Sequence, residues 1–367
     1  MKILIYILAL SSLLLANAED TASCKKCHPT IAAEFASSMH KKSSIYEDKV
    51  HKAVWDKHPA KAKGNYNCAE CHTPNASSQE VSHEGITCIS CHTIKSVEKH
   101  AARNKNINTT DKHTLFSAEK GRKSEVIKYK ITTSWWGKKT TVGSAYHDID
   151  YSNKEYYTGE TCMGCHSHKQ NSHQFDVCRT DDAGAKNEKE NCITCHMPKI
   201  GGTATTVRLS ETHAYHGFAG ARVEPRMLAK YVIFDLKKTT KGFEVTVENK
   251  APHELMTHPL RVVQLKATLI RGTKHTALKT HSFARTIGTQ GKPSMPWLAT
   301  EVVSNNMIGS KEKRVVSFDE KLKSGDKVEL VIGFYVVNPK VLKKLNLQDD
   351  KELTAFTVLK SQYFTIE

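Results

Sequence analysis

The sequence has 367 residues, of which 39% are hydrophobic, and a formal net charge of +16 at pH 7. This length is sufficient for two domains, while the hydrophobic content is low for a chain that builds its interior from side chains alone. The charge would favour binding to nucleic acid or to the anionic cytoplasmic face of a membrane. The N-terminal segment argues against both.

That segment has the composition of a secretory signal peptide. Lys2 precedes an apolar run over residues 3–15, and Ala16 and Ala18 form a small-x-small cleavage site. An uncleaved anchor is the alternative, but the run falls short of the about 20 residues that span a bilayer. We predict cleavage after residue 18 and a periplasmic mature protein that does not span the membrane and does not bind nucleic acid.

Cysteine usage is the strongest signal in the chain. Ten of the eleven cysteines fall into five Cys-x-x-Cys-His motifs. The motifs are Cys24, Cys27 and His28; Cys68, Cys71 and His72; Cys88, Cys91 and His92; Cys162, Cys165 and His166; and Cys192, Cys195 and His196. Such repetition is not expected by chance.

The spacing indicates covalent haem attachment. Two cysteines three residues apart can form thioethers to the two vinyl groups of one haem, and the next histidine then reaches the iron as proximal ligand. Zinc sites pair two Cys-x-x-Cys units, which an odd number of units does not allow, and they need no histidine after each one. Thioredoxin-like motifs need a strand and a helix around them. We therefore predict five covalently bound haem c groups, with many lysines serving as counter-charges to haem propionates.

Between the motifs the chain has few long periodic segments. Residues 29–44 and 48–63 are predicted to be helical, and the stretch between His92 and Cys162 is interpreted as an insertion that wraps the haems. Trp135 and Trp136 lie in this insertion. Two predictions remain for their side chains: packing on a haem, or ordinary burial. We expect porphyrin to supply much of the interior of residues 19–225.

From residue 226 onward the pattern changes to alternation with a period of two. Examples are Phe243, Val245 and Val247; Val263, Leu265, Ala267 and Leu269; and Val328, Leu330, Ile332, Phe334 and Val336. Turn signals separate these runs. The overall prediction is an α+β protein: a mainly helical or irregular multihaem domain over residues 19–225, then an antiparallel β-sandwich-like domain over residues 226–367.

The second axial ligands require histidines outside the motifs. His40 lies 12 residues beyond His28 in the predicted helix, roughly 18 Å along its axis, so we expect it to bind the iron of a neighbouring haem. Methionine is the rival ligand type, and Met256 is conceivable. Cys178, the unpaired cysteine, is either a reactive or intermolecular thiol or a tolerated buried one.

The motif segments resemble the multihaem cytochromes of the cytochrome c-554 and hydroxylamine-oxidoreductase group. The resemblance rests on the first motif followed by Met39-His40, on Glu84-Gly-Ile-Thr before Cys88, and on Met197-Pro198 after the last motif. It implies stacked haems with distal histidines drawn from elsewhere in the chain. The candidates that it implies are His58, His147, one of His213 and His216, and His253.

Two functions follow as hypotheses. Iron with two histidines has no open position, so the first is electron transfer between a membrane quinol-oxidising or other redox partner and a terminal reductase or oxidase. The second is an oxidoreductase with one five-coordinate haem acting on a small nitrogen or sulfur compound. Against this alternative, no Cys-x-x-Cys-Lys variant is present. An end-to-end homo-oligomer that conducts electrons to extracellular acceptors is a third, weaker hypothesis.

Overall fold

The computed structural model describes residues 21–74, 83–111, 113–180 and 187–367. The predicted signal peptide, residues 1–18, lies outside this part of the chain. The described residues form an N-terminal region (21–224) of short elements and a β region (225–367). Helices and antiparallel strands are both present, which confirms the predicted α+β class. No helix of the described residues has the length and apolar character needed to cross a membrane.

The N-terminal region contains helices of at most nine residues. Its α-helices are Thr21–Lys25, Pro29–Ser37, Lys49–Lys57, Ala69–His72, Cys88–His92, Glu155–Thr158, Met163–His166 and Cys192–His196. Short 3₁₀ turns cover Pro59–Lys63 and Glu160–Cys162.

Strands are more frequent in this region than the prediction of a mainly helical or irregular domain allowed. The strands are Ile94–Val97, Asn106–Asn108, Thr114–Phe116, Val126–Ile127, Lys130–Thr133, Lys139–Val142, Asp148–Asp150, Lys169–Gln170, Asp176–Cys178, Lys199–Gly201 and Thr212–Ala214. They pair in twos and threes, so they brace loops rather than form a large sheet.

Both predicted long helices are interrupted. The first ends at Ser37, and Ser38 is extended, so His40 lies in a turn and the helix-distance argument for it was wrong. The second ends at Lys57 because His58 precedes Pro59, and the residue before proline is disfavoured in the α conformation. A 3₁₀ turn over Pro59–Lys63 follows.

The β region consists of two larger antiparallel sheets and one small one. The first sheet has the order Val232–Lys238, Phe243–Asn249, Lys313–Phe318. The second has the order Lys274–Ala277, Val262–Arg271, Lys327–Tyr335, Thr357–Thr365. The strand His281–Phe283 also pairs with Val262–Arg271 in this sheet. The small sheet contains Lys292–Pro293, Arg285–Thr289 and Glu301–Asn305. Short helices cover Pro339–Leu342 and Lys351–Thr354, and 3₁₀ turns cover Pro225–Tyr231, Pro296–Leu298 and Lys343–Leu345.

One core joins the two larger sheets. Phe243, Val245 and Val247 are fully buried on alternate positions of their strand, and Leu265 and Leu330 are fully buried in the other sheet. This is the arrangement that period-two alternation predicts for two sheets packed face to face.

The β region also packs on the N-terminal region. Ala53 belongs to an apolar cluster with Leu342, Leu345 and Leu353. Beside this cluster, Lys49 forms an ion pair with Asp350 at 2.7 Å. Side chains of the β region are therefore held against the helix Lys49–Lys57 of the N-terminal region.

Candidate haem-binding sites

Each described Cys-x-x-Cys-His motif lies on or beside a single helical turn. Residues i, i+3 and i+4 share one face of a helix, so both thiols and the histidine point to the same side. Polar residues before the turns hold them in place: Asn191 accepts hydrogen bonds from the backbone of Ile193 and Thr194, and Thr87 forms a capping box with Ser90. The described cysteines form no disulfide.

Four of the five motif histidines donate a hydrogen bond from Nδ1 to a distant backbone carbonyl. The pairs are His28 with Ala204 at 2.9 Å, His72 with Ser43 at 3.0 Å, His92 with Phe116 at 2.7 Å and His196 with Ala219 at 2.6 Å. A proton held on Nδ1 leaves the Nε2 lone pair available to a metal and fixes the ring orientation.

Three motif histidines face a second histidine across a gap of constant width. The ring centroids are 6.3 Å apart for His28 and His147, 6.3 Å for His92 and His216, and 6.2 Å for His196 and His253, with interplanar angles of 28°, 18° and 18°. A metal–imidazole bond is about 2 Å long, so two rings on opposite faces of one iron have centroids about 6 Å apart. The spacing therefore fits one iron between each pair.

The third pair lines a pocket between the last motif and the β region. The pocket is partly open to solvent and encloses about 830 Å³ of empty space, solvent included. Cys192 and Cys195 line one side, and Phe334 and Leu359 of the β region contribute apolar side chains. Thiols, two facing imidazoles and an apolar lining are the donor set and shape that haem c requires, so the residues present fit this group.

Burial keeps these facing histidines neutral. It lowers the pKa of His253, and it lowers the pKa of His216 to about 4 with a further contribution from nearby His92. Each also donates from Nδ1, His216 to the carbonyl of Ala214 at 2.7 Å and His253 to that of Glu254 at 2.6 Å. A neutral ring with a free Nε2 is the form that binds a metal.

His40 lies beside the fourth motif. Its ring centroid is 5.8 Å from that of His166, at an interplanar angle of 77°. Burial, with added repulsion from His166 and His72, lowers the pKa of His40 to about 3. Its Nδ1 is buried without a hydrogen-bond partner among the described residues. Buried polar atoms are seldom left so, and metal ligation would satisfy this one.

His213 and His216 are distinguished by their partners. His213 Nε2 donates to a carboxylate oxygen of Glu34 at 2.7 Å, and its Nδ1 donates to the carbonyl of Gly202 at 2.9 Å. Burial disfavours the charged form, but the hydrogen bonds to Glu34 and Gly202 and the charge of Glu34 together outweigh burial and raise the pKa of His213. Both nitrogens are thus engaged, and the geometry favours His216 over His213 as an iron ligand.

Among the described residues, the ring of His58 contacts no motif histidine. Its ring contacts Trp55 and Trp297, and its Nδ1 accepts a hydrogen bond from the backbone of Ala60 at 3.1 Å. A neutral imidazole that accepts at Nδ1 carries its proton on Nε2, which then cannot ligate. This position does not support its predicted role.

The second motif has a different neighbourhood. The ring of His51 packs on that of His72 at 3.9 Å, too close for an iron between them. His51 donates from Nδ1 to the carbonyl of Ser43 at 2.8 Å, and its Nε2 pairs with Tyr66 at 3.2 Å. Sequence reasoning gave His51 no role, because nothing in its spacing distinguishes it from a surface histidine.

His258 and Arg261 lie near the same motif. Burial, then the charges of Arg261 and His72, lower the pKa of His258 to about 3, and burial lowers the pKa of Arg261 to about 10. His258 Nδ1 accepts from the backbone of Leu260 at 3.2 Å, so its Nε2 carries the proton. Cys178 is close to Arg261, and burial raises the pKa of its thiol.

The motifs contact one another through their thiols. Cys24 lies against Cys88, Cys71 against Cys165, and Cys162 against Cys192. These contacts link the first motif to the third, and the fourth motif to the second and the fifth. Cys91 of the third motif also lies near Cys162 of the fourth, which connects the two groups. Groups attached to them would be in close proximity.

Helical Cys-x-x-Cys-His turns that face other histidines are typical of multihaem c-type cytochromes. The family model of cytochrome c554 and c-prime matches residues 23–93. The structure of a penta-heme cytochrome c552 from Thermochromatium tepidum superimposes with a TM-score of 0.71 at 22% identity, over 95% of this chain and 99% of that one. The predicted resemblance to the c554 group is thus confirmed.

Other matches are much weaker. The E. coli curli protein CsgC (TM-score 0.18, 8% identity) covers 36% of this chain and 95% of its own. A superoxide reductase from Nanoarchaeum equitans (TM-score 0.19, 14% identity) covers 36% of this chain and 90% of its own. These scores are too low to support an argument. No curated protein matches the chain significantly.

Proposed function

We propose that this chain is a periplasmic pentahaem electron carrier, exported by a cleaved signal peptide, with domains at 19–225 and 226–367. Covalently bound haem c and a redox role are supported by the family match and the fold. The observation that carries the finer proposal is the set of three histidine pairs with centroids 6.2–6.3 Å apart. A haem iron with a histidine on both sides has no free position for a substrate, so such a centre exchanges only electrons.

The proposed ligand sets follow the geometry of the side chains. The thiols of each motif hold haem c, which supplies an iron that changes oxidation state. His28 is paired with His147, His92 with His216, His196 with His253, and His166 with His40. These residues would hold the iron of each haem and exclude water from it.

The contacts between motifs support a relay. Because each motif adjoins another through its thiols, electrons can enter at one site and leave at a different one. The proposed partners are a membrane quinol-oxidising protein or another redox protein on one side and a terminal reductase or oxidase on the other.

Electron paramagnetic resonance of the oxidised holoprotein tests the assignments. His147→Ala and His216→Ala should each convert one low-spin haem to high spin, while His58→Ala and His213→Ala should leave the spectrum unchanged. A high-spin signal in the two control variants, or none in the first two, would refute the pairing.

The surroundings of His72 favour a second candidate function. Its ring neighbour is His51 at 3.9 Å instead of a histidine at the iron-spanning distance, and the half-buried donors of His258 and Arg261 lie nearby. Such donors could bind a small anion beside an iron that lacks a second protein ligand. The chain would then be an oxidoreductase for a small nitrogen or sulfur compound.

Two measurements decide between the candidates. A high-spin signal of one haem in the unaltered protein, together with turnover of nitrite, hydroxylamine, sulfite or tetrathionate that falls in Arg261→Gln, would favour the enzyme. A fully low-spin spectrum without turnover would favour the carrier alone.

A further inference from the structure

A two-stranded hairpin projects from the N-terminal region. Its strands, Lys130–Thr133 and Lys139–Val142, pair in antiparallel register from Lys130 opposite Val142 to Thr133 opposite Lys139. Every residue of both strands is exposed. The tip is closed by hydrogen bonds from Ser134 to Lys138 and from Gly137 to Ser134, with Gly137 at φ 77°. Neither face of this hairpin is covered by the rest of the described chain.

The tip carries two adjacent tryptophans. Trp135 is 81% exposed and Trp136 is 75% exposed, and their ring contact is with each other. Packing on a haem and ordinary burial were the two predictions for these residues, and the exposure contradicts burial. Tryptophan side chains offer about 150–250 Å² each, so the tip presents a sizeable apolar surface to solvent, which usually marks a contact site.

The hairpin is also uniformly basic. Residues 126–147 contain four lysines, at positions 128, 130, 138 and 139, and no aspartate or glutamate. None of the four forms an ion pair within the described part of the chain, whereas nearby Lys123 and Arg122 pair with Glu188 and Glu119. Alternation along the strands, continued to the pairing of Ser134 with Lys138 at the tip, places Lys130 and Lys138 on one face.

We propose that this hairpin is a peripheral membrane anchor that binds the surface of an anionic phospholipid bilayer. Tryptophan partitions to the level of the headgroups, and lysines close to it attract anionic lipids. A single acidic protein is the less fitting occupant, because a stable protein interface buries about 800 Å² per partner on a shaped surface. A narrow tip with two rings suits insertion between headgroups better.

Anchoring here would orient the whole molecule. The chain that leaves the hairpin after Val142 reaches His147 five residues later, and the ring of His147 faces His28 across the iron-spanning distance. Anchoring would therefore tether the site of the first motif to the membrane through this short segment. The membrane contact is independent of the proposed electron transfer, since binding is measurable without any redox partner.

Co-sedimentation of the holoprotein with vesicles tests the proposal. One set contains phosphatidylcholine and phosphatidylglycerol, and the other contains phosphatidylcholine alone. The variants are Trp135→Ser with Trp136→Ser, the same pair changed to Tyr, and Lys→Gln at the four hairpin positions. The control removes equal charge from exposed positions of the β region, with Lys→Gln at Lys274, Lys279, Lys292 and Lys321.

We expect binding to the anionic vesicles that weakens as salt rises. A lysine near an anionic surface contributes about fivefold, so the hairpin lysine variant should bind more than about a hundredfold more weakly, while the control variant binds like the parent. Serine at both tryptophans should reduce binding about tenfold or more, and tyrosine should restore most of it.

Three outcomes would overturn the proposal. They are no vesicle binding, equal binding to phosphatidylcholine alone, and binding that the control lysines affect as strongly as the hairpin lysines. Loss of reaction with a soluble acidic redox protein in the hairpin variants, without vesicle binding, would identify a protein partner instead. Unchanged haem spectra in the variants would exclude misfolding. Tryptophan emission that changes when lipid is added would exclude a tip that lies against haem.

Discussion

In the β region, side chains of two sheets meet in one continuous core, whereas the buried apolar side chains of the N-terminal region are scattered among short helices and loops. Phe243, Leu265 and Leu330 are fully buried within a single large cluster. In the N-terminal region, buried side chains such as Phe35, Ile94 and Met163 belong to no comparable cluster of the described residues. The two regions therefore acquire their interiors differently.

From this difference we expect haem c to have a structural as well as a redox role. A segment of this size ordinarily needs its own apolar interior. Thiols and facing histidines border shared spaces in the N-terminal region. The pocket beside Cys192 is an example. Covalently attached porphyrin would fill these spaces, so we expect folding of this region to depend on attachment.

The largest expected effect is loss of the N-terminal fold when haem is not attached. In a chain made without cytochrome c maturation, or with the ten motif cysteines changed to Ser, residues 21–224 should remain unfolded while the β region folds. Limited proteolysis with mass spectrometry should leave a protected fragment of about residues 225–367. Equal protection of both regions would show that the N-terminal region does not need the cofactor.

The next effect in size concerns the β core alone. Leu265→Ala should lower the free energy of unfolding of the β region by about 2–5 kcal/mol, because it removes a fully buried side chain and leaves a cavity. Val315→Ala, on an exposed position of the other sheet, should cost less than about 0.5 kcal/mol. Urea unfolding followed by far-ultraviolet circular dichroism measures both. Similar losses in the two variants would mean that the core does not hold this region together.

The same contrast explains which features the sequence predicts. The alternating runs at Phe243–Val247 and Val328–Phe334 became strands at the expected places, because alternation is a local property that the sheets preserve. The Cys-x-x-Cys-His motifs are equally local. Both predicted long helices, in contrast, are interrupted. The prediction from helix propensity missed the turn after Ser37 and the effect of Pro59 on the residue before it.

The histidine pairs depend on the tertiary fold and could not be derived from spacing. His28 meets His147, which is more than a hundred residues away, and His92 meets His216. His58 was predicted as an iron ligand because it precedes a motif, but in the structure its ring contacts Trp55 and Trp297. Only the three-dimensional arrangement distinguishes His216 from His213, through Glu34.

His253 links the two regions, and its removal should affect one haem only. His253→Ala should produce a high-spin signal of one haem, while the other sites keep their spectra, because the remaining ligands come from the N-terminal region. If the assignment is right, urea that unfolds the β region should produce the same signal at the same midpoint. A low-spin spectrum that persists through that transition would contradict it.

The smallest effect concerns Glu34, which holds the segment that carries His216. Its carboxylate accepts from His213 Nε2 at 2.7 Å and from the backbone of His216 at 2.9 Å. Glu34→Gln removes the charged partner of His213, and we expect a loss of about 1–2 kcal/mol in the free energy of unfolding. Glu70→Gln, which breaks the surface pair with Arg103, is the control and should cost about 0–1 kcal/mol.

The loss in Glu34→Gln should depend on pH with a defined sign. The pKa of His213 is raised in the folded protein, so the folded state binds a proton more tightly than the unfolded state. The contribution of the pair is fully present below the ordinary histidine pKa of about 6.5 and disappears as pH rises through the raised value. Denaturant titrations of parent and variant should therefore differ most near pH 6 and converge in alkali. A difference that stays constant, or grows with pH, would mean that Glu34 acts through the His216 backbone alone, since that hydrogen bond does not titrate in this range.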